Sequence, residues 1–274
     1  MTTQKTLFDS IDPEIIETIT NRQEAISKGA SASSKVMAAL AIGSIPVALA
    51  ALSKEAYGQT PADVVDVLQF ALTLEYLESE FYNRGVANAD VMAIPAGDRP
   101  IFTTIQLHEN DHVAALKTFI TARGAVPGTK PTFDFTAKGA VAGFNFGAGQ
   151  YATFQVLAQA FEDTGVRAYK GQAGRLISDK GALNAALSIH SVEARHASEI
   201  RRLRGKKGWI TGKSRDDLPA FTQGIYDGED NTVQAGLDIS ALGTNNGGVD
   251  AVTQSFDEPL TKDAVLAIVS PFIN

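Results

Sequence analysis

The segment His108-Glu109-Asn110-Asp111-His112 contains a Glu-x-x-His, and the spacing returns at His190-Ser191-Val192-Glu193-Ala194-Arg195-His196. Residues three apart on an α-helix share a face, so Glu109 points with His112 and Glu193 with His196. These two segments hold all four histidines of the 274-residue chain. Two helices turning these faces toward each other would enclose carboxylates and imidazoles in one space, a setting suited to two metal ions.

The flanking sequence predicts helices at both motifs. Ile101, Ile105, Leu116, Phe119 and Ile120 recur at helical spacing around the first, giving a helix over 100–123 that stops at Gly124. Leu183, Leu187, Ile200 and Leu203 do the same around the second, over 180–204. Each is preceded by another helical pattern. Residues 61–84 place Val64, Leu68, Leu72, Glu75, Glu78 and Tyr82 on one face, with Pro61 in the first turn and Gly85 as the stop. Residues 149–171 carry Tyr151, Phe154, Ala158, Phe161, Glu162 and Val166 and end at a glycine. A faint repeat relates the halves: Tyr82 follows Glu75 and Tyr169 follows Glu162 at the same spacing, and a Glu-x-x-His helix comes next.

The predicted fold is all-α, a four-helix bundle. The link near 124–147 is long and rich in Gly, Pro, Thr and Phe, which lets two antiparallel hairpins pack with one crossover. Phe133, Phe135, Phe144 and Phe146 are expected to cover the bundle there. The chain divides into an N-terminal segment (1–58), the bundle (59–208) and a loop-rich extension (209–274). The extension is expected to wrap the bundle or a neighbouring subunit, anchored by Phe221, Tyr226, Leu237, Phe256 and Phe272, with one short helix over 261–269.

Residues 36–52 form an apolar run broken by Gly43 and Pro46, too short for a bilayer span. It reads either as a signal core, with Ala56-Tyr57-Gly58 as a cleavage site, or as a retained packing helix, since Glu14, Glu17 and Glu24 are unusual before a signal core. The first reading places the protein in the periplasm or envelope, the second in the cytoplasm. No transmembrane span is expected. A net charge of −7 argues against a nucleic-acid surface, and the one dense basic run, 201–208, falls at a helix end that favours cations. The absence of cysteine excludes disulfides, thiolate metal sites and iron–sulfur relays.

Glu75, Glu109, His112, Glu162, Glu193 and His196 should all face the bundle axis, with Glu78 as a further ligand or an acceptor beside one. Unpaired carboxylates in an apolar interior are too costly to ionise, and two divalent cations reverse that balance. The competing reading is a set of solvated helix charges. Tyr82 and Tyr169 are candidates to hydrogen-bond the ligands or to serve as core aromatics. His190 lies on the face of Glu193 and is a candidate to stand behind it, whereas His108 is expected to be peripheral. Asp163 and Arg167 are weaker candidates for orienting ligands, and Glu80 should be solvated.

The stretch Phe70-Ala71-Leu72-Thr73-Leu74-Glu75-Tyr76-Leu77-Glu78-Ser79-Glu80-Phe81-Tyr82, the two Glu-x-x-His pairs and Phe161-Glu162-Asp163 resemble the ferritin-like superfamily. The closest resemblance is to its bacterial branch similar to plant desiccation-related proteins. It covers about residues 61–205, and Phe256-Asp257-Glu258-Pro259-Leu260 also fits that branch. The resemblance implies a dinuclear centre of iron or manganese, two ions per chain. Glu75 and Glu162 would be terminal ligands, Glu109 and Glu193 bridging, and His112 and His196 would each give one nitrogen.

That centre implies redox chemistry on hydrogen peroxide, dioxygen or Fe(II): a catalase-like, peroxidase-like or ferroxidase-like oxidoreductase in oxidative or desiccation stress, with no catalytic group beyond the ligands and their neighbours. Histidine and carboxylate donors suit iron or manganese. A chain without cysteine has no relay of its own, which favours a manganese-catalase-like cycle needing no outside electron donor. The alternative is a non-catalytic stress or envelope scaffold, with a structural metal or none. A homo-oligomer is expected.

Overall fold

A computed structural model describes residues 61–274, so the readings made for 1–58 lie outside the described residues. Helices α1 (Pro61–Ala87), α2 (Arg99–Ala122), α3 (Tyr151–Ala173) and α4 (Lys180–Leu203) form the bundle, followed by the short α5 (Gly248–Thr253) and α6 (Lys262–Val269). Helix α1 packs chiefly on α2 and α3 on α4, and the long connection falls between α2 and α3. The fold is the expected all-α bundle with one crossover. Among the described residues, no helix is long and apolar enough to cross a membrane.

Local chemistry sets most helix ends. Asp63 lies in the first turn of α1 and Arg84 in its last, each suited to the adjacent dipole end. Asp179 caps α4 by accepting from the Ala182 N–H at 2.9 Å, and Thr261 caps α6 through the Ala264 N–H. Gly124 (φ +75°) and Gly205 (φ +71°) follow α2 and α4 in the left-handed region that ends helices.

Gly85 and Gly171 differ from their expected role as stops, because α1 runs on to Ala87 and α3 to Ala173. Both are places of close approach. A Cβ on Gly85 would lie 2.3 Å from the Phe154 ring, and one on Gly171 would lie 1.9 Å from the Leu260 carbonyl oxygen. A glycine inside a helix costs about 1 kcal/mol of helix propensity, a cost the closer packing offsets here.

The crossover carries the aromatic core. Phe133, Phe135, Phe144 and Phe146 are buried, and the Phe81 ring of α1 lies 5.4 Å from Phe135, 5.6 Å from Phe146 and 4.7 Å from Phe154. Such pairs add about 0.5–1.5 kcal/mol each beyond area burial. The chain end is fastened to the same loop, with Phe133 bridging Ile273 and the Asp134 N–H donating to the Phe272 carbonyl at 2.9 Å.

The extension lies on the outer side of α3. The Arg167 guanidinium, 1% exposed, donates to the carbonyls of Ile225, Asp227 and Glu258 and pairs with Glu229 at 2.7 Å. The Leu260 N–H adds a bond to the Arg167 carbonyl at 3.1 Å. Asp163 is held by Arg201 (2.6 and 2.9 Å) and by the Tyr226 hydroxyl (2.6 Å). Helix α3 is therefore buried on both sides from Leu157 to Tyr169, which explains its weak amphipathic pattern in the sequence. Three residues of the basic run at the end of α4 make such contacts: Arg201 also reaches Asp216, and Arg204 and Lys206 both reach Asp217.

Candidate metal centre

Each bundle helix delivers one glutamate to a common buried space. Glu75, Glu109, Glu162 and Glu193 are all 0% exposed. His112 follows Glu109 on α2 and His196 follows Glu193 on α4, as the Glu-x-x-His spacing requires. Their donor atoms form two overlapping groups, Glu75–Glu109–His112–Glu193 and Glu109–Glu162–Glu193–His196, each with all donors within 4.8 Å of one another.

Glu109 and Glu193 belong to both groups, and they divide their oxygens between them. His112 Nδ1 lies 3.1 Å from Glu193 Oε1, 3.2 Å from Glu75 Oε2 and 3.4 Å from Glu109 Oε2. His196 Nδ1 lies 2.9 Å from Glu109 Oε1, 3.4 Å from Glu162 Oε2 and 4.0 Å from Glu193 Oε2. Two carboxylates thus span two adjacent positions, and each position has its own carboxylate and imidazole.

The two tyrosines complete the pseudo-symmetry. Tyr82 of α1 donates to Glu162 Oε1 at 2.5 Å, and Tyr169 of α3 donates to Glu75 Oε1. Each carboxylate is thereby held by one oxygen while the other faces the centre. Those inward atoms have no hydrogen-bond partner: Glu75 Oε2, Glu162 Oε2, both oxygens of Glu109 and Glu193, and Nδ1 of both histidines. Buried polar atoms are rarely left unsatisfied, and a converging set of such oxygens and nitrogens fits a pair of cations.

The electrostatics agree. Burial, reinforced by Glu109, pushes Glu75 up to about 8. Burial and the neighbouring carboxylates push Glu78 and Glu193 well above the carboxylate range, and burial also raises Glu162. Burial would raise Glu109 as well, but its close contacts with His112 and His196 outweigh it and hold Glu109 at about 2. Burial opposes charge on the imidazoles, yet the surrounding carboxylates raise His196 to about 11 and His112 far above its ordinary value. Protons thus supply the positive charge that the donor set demands and that divalent ions would supply in their place.

Glu78, one turn from Glu75, is buried beside this space. A Cβ on Gly165 would lie 3.2 Å from Glu78 Oε1 and 3.3 Å from Glu193 Oε2, so the glycine leaves room for both. The other candidates fall elsewhere. Asp163 and Arg167 face the extension. Glu80 is on the outer side of α1, paired with Arg84 and Lys130.

His190 and His108 exchange the places expected of them. His190 turns away from the centre and sits half-buried between α3 and the extension, near Lys170 and Asp257, because its offset from His196 carries it round α4. His108 Nδ1 lies 2.9 Å from His196 Nε2, with the two rings nearly parallel and their centroids 5.2 Å apart. The signal for His108 was its i,i+4 relation to His112, which puts both imidazoles on the α4-facing side of α2. A polar clamp between α1 and α2 was not singled out in the sequence: Asn110 Oδ1 accepts from Ser79 at 2.7 Å and Asn83 at 3.0 Å, while Gln106 donates to Asn83. It locks the register of α2 beside Glu109.

A crossover four-helix bundle that gathers one glutamate per helix and two Glu-x-x-His imidazoles has the donor arrangement of ferritin-like carboxylate proteins and could hold metal. The model of the ferritin-like domain matches residues 63–206, over half of the chain, and the protein belongs to that family. No curated protein matches the chain.

Proposed function

We propose that the protein binds two ions of iron or manganese and acts on hydrogen peroxide or dioxygen. The observation that supports this reading is the division of the Glu109 and Glu193 oxygens between two adjacent donor groups. A bound pair of such ions would supply two-electron redox capacity. The chain's own residues set the conditions. Glu109 and Glu193 hold the two positions together, and Tyr82 and Tyr169 fix the terminal carboxylates. The aromatic core beside α1 and α3 keeps bulk water out. Glu78, whose carboxyl is shifted toward its protonated form by burial and the neighbouring carboxylates, stands beside Glu193 where it can pass a proton to a small oxygen substrate.

Peroxide disproportionation suits this chain best. One peroxide is reduced to water and a second is oxidised to dioxygen, so no external donor is needed and the cysteine-free chain lacks nothing. Metal content per chain, measured by mass spectrometry after growth with both metals, tests the reading beside the double change Glu109→Ala, His112→Ala. Two ions per chain, lost in the variant, are expected, followed by assays of peroxide consumption and Fe(II) oxidation. Manganese with peroxide turnover supports the catalase-like cycle, and iron with Fe(II) oxidation supports a ferroxidase. A wild-type chain without bound metal would sink the proposal.

A further inference from the structure

The two donor groups are alike in their inward atoms but not in what stands behind them. His196 aims Nδ1 at Glu109 and Glu162, and its other nitrogen, Nε2, meets His108 Nδ1 at 2.9 Å. The two rings are nearly parallel, 15° apart. His108 itself is exposed at the surface of α2. Among the described residues, no side chain stands behind the His112 ring in this way.

A neutral imidazole carries one N–H and one lone pair. His196 can present a lone pair at Nδ1 only with its proton on Nε2, and a proton there needs an acceptor. In that tautomer His108 Nδ1, 2.9 Å away, is placed to accept it, with the proton of His108 on its own Nε2. Partners behind a ligating histidine fix its tautomer and ring angle.

We propose that His108 is a positioning residue for His196, and that it makes the position at Glu162 and His196 bind metal more tightly than the position at Glu75 and His112. This rests on the dinuclear reading above. The pseudo-symmetric centre then fills in order, the backed position first.

Full-length protein stripped of metal and titrated with Mn(II), followed by electron paramagnetic resonance, tests this. Wild type should take up two ions of unequal affinity. His108→Ala should weaken one position by about 10–100-fold, the range for loss of such a partner. With Glu75→Ala, which leaves the His196 position, adding His108→Ala should reproduce that loss. With Glu162→Ala, which leaves the His112 position, it should change little. His108→Gln, whose side-chain carbonyl can accept from Nε2, should recover most of the affinity. Because His108 is exposed, melting of the metal-free variants should match wild type, separating positioning from folding. Unchanged affinities in His108→Ala, equal weakening at both positions, or no recovery with glutamine would overturn the inference. A wild type that binds no Mn(II) would instead remove the dinuclear reading, and this inference with it.

Discussion

Tyr82 holds Glu162 by one oxygen, at 2.5 Å, and leaves the other oxygen of that carboxylate buried and unpartnered toward the centre. Tyr169 does the same for Glu75 across the pseudo-symmetry. Each hydroxyl therefore selects which oxygen is free for a cation. Tyr82→Phe should lower affinity at the Glu162 position, and Tyr169→Phe at the Glu75 position, by about tenfold or more. Metal titration of the two variants should show separate, single-position losses. A loss shared equally by both positions would argue against this assignment.

The shared carboxylates should behave differently from the terminal ones. Glu193→Gln should remove both ions, whereas Glu75→Gln or Glu162→Gln should leave one. The same Glu193→Gln change should stabilise the metal-free chain near neutral pH, because it deletes a buried group with a strongly raised pKa. Chemical denaturation in chelator measures this, and a destabilised variant would contradict it.

Stability of the metal-free protein should depend on pH in a definite direction. Between 4.5 and about 8 the folded chain keeps the Glu75 proton that the unfolded chain has released, so stability falls as pH rises. His196, raised from 6.5 to about 11, is fully stabilising below 6.5 and adds to the fall above it. Glu109 works the other way in acid, where its stabilisation appears between about 2 and 4.5. Metal ions must displace the same protons, so affinity should climb from pH 5 to about pH 8 while metal-free melting temperatures decline. Melting in chelator across this window checks the sign.

Arg167 fastens the extension to α3, with Glu229 buried against it. Arg167→Ala strands that carboxyl and should cost about 3–5 kcal/mol. Gly171→Ala should act at the same seam by driving a methyl into the Leu260 carbonyl. Limited proteolysis should then cut the extension first in both variants, with the bundle surviving longer.

Gly85→Ala should destabilise through the Phe154 ring by about 1–3 kcal/mol, an overpacking cost. Phe154→Leu in the same chain should recover part of the loss. Equal costs with and without the leucine would place the effect in helix propensity instead.

The local repeat Glu-x-x-His, with a glutamate one helix earlier, was enough to name the six inward donors and the all-α bundle. That information is local, because a three-residue step fixes which side chains share a face whatever the helix packs against. Pro61 was legible at a helix start for a similarly local reason. Tertiary structure decided what lies across the space from each face. Only packing shows that Glu109 and Glu193 split their oxygens, that Tyr82 reaches the glutamate of α3 rather than one on its own helix, and that His108 rather than His190 backs a ligand. Gly85 and Gly171 read as helix stops because a sequence shows a missing side chain but not the ring or carbonyl that needs the gap. The second burial of α3 was hidden too, since the extension that covers it arrives from far along the chain.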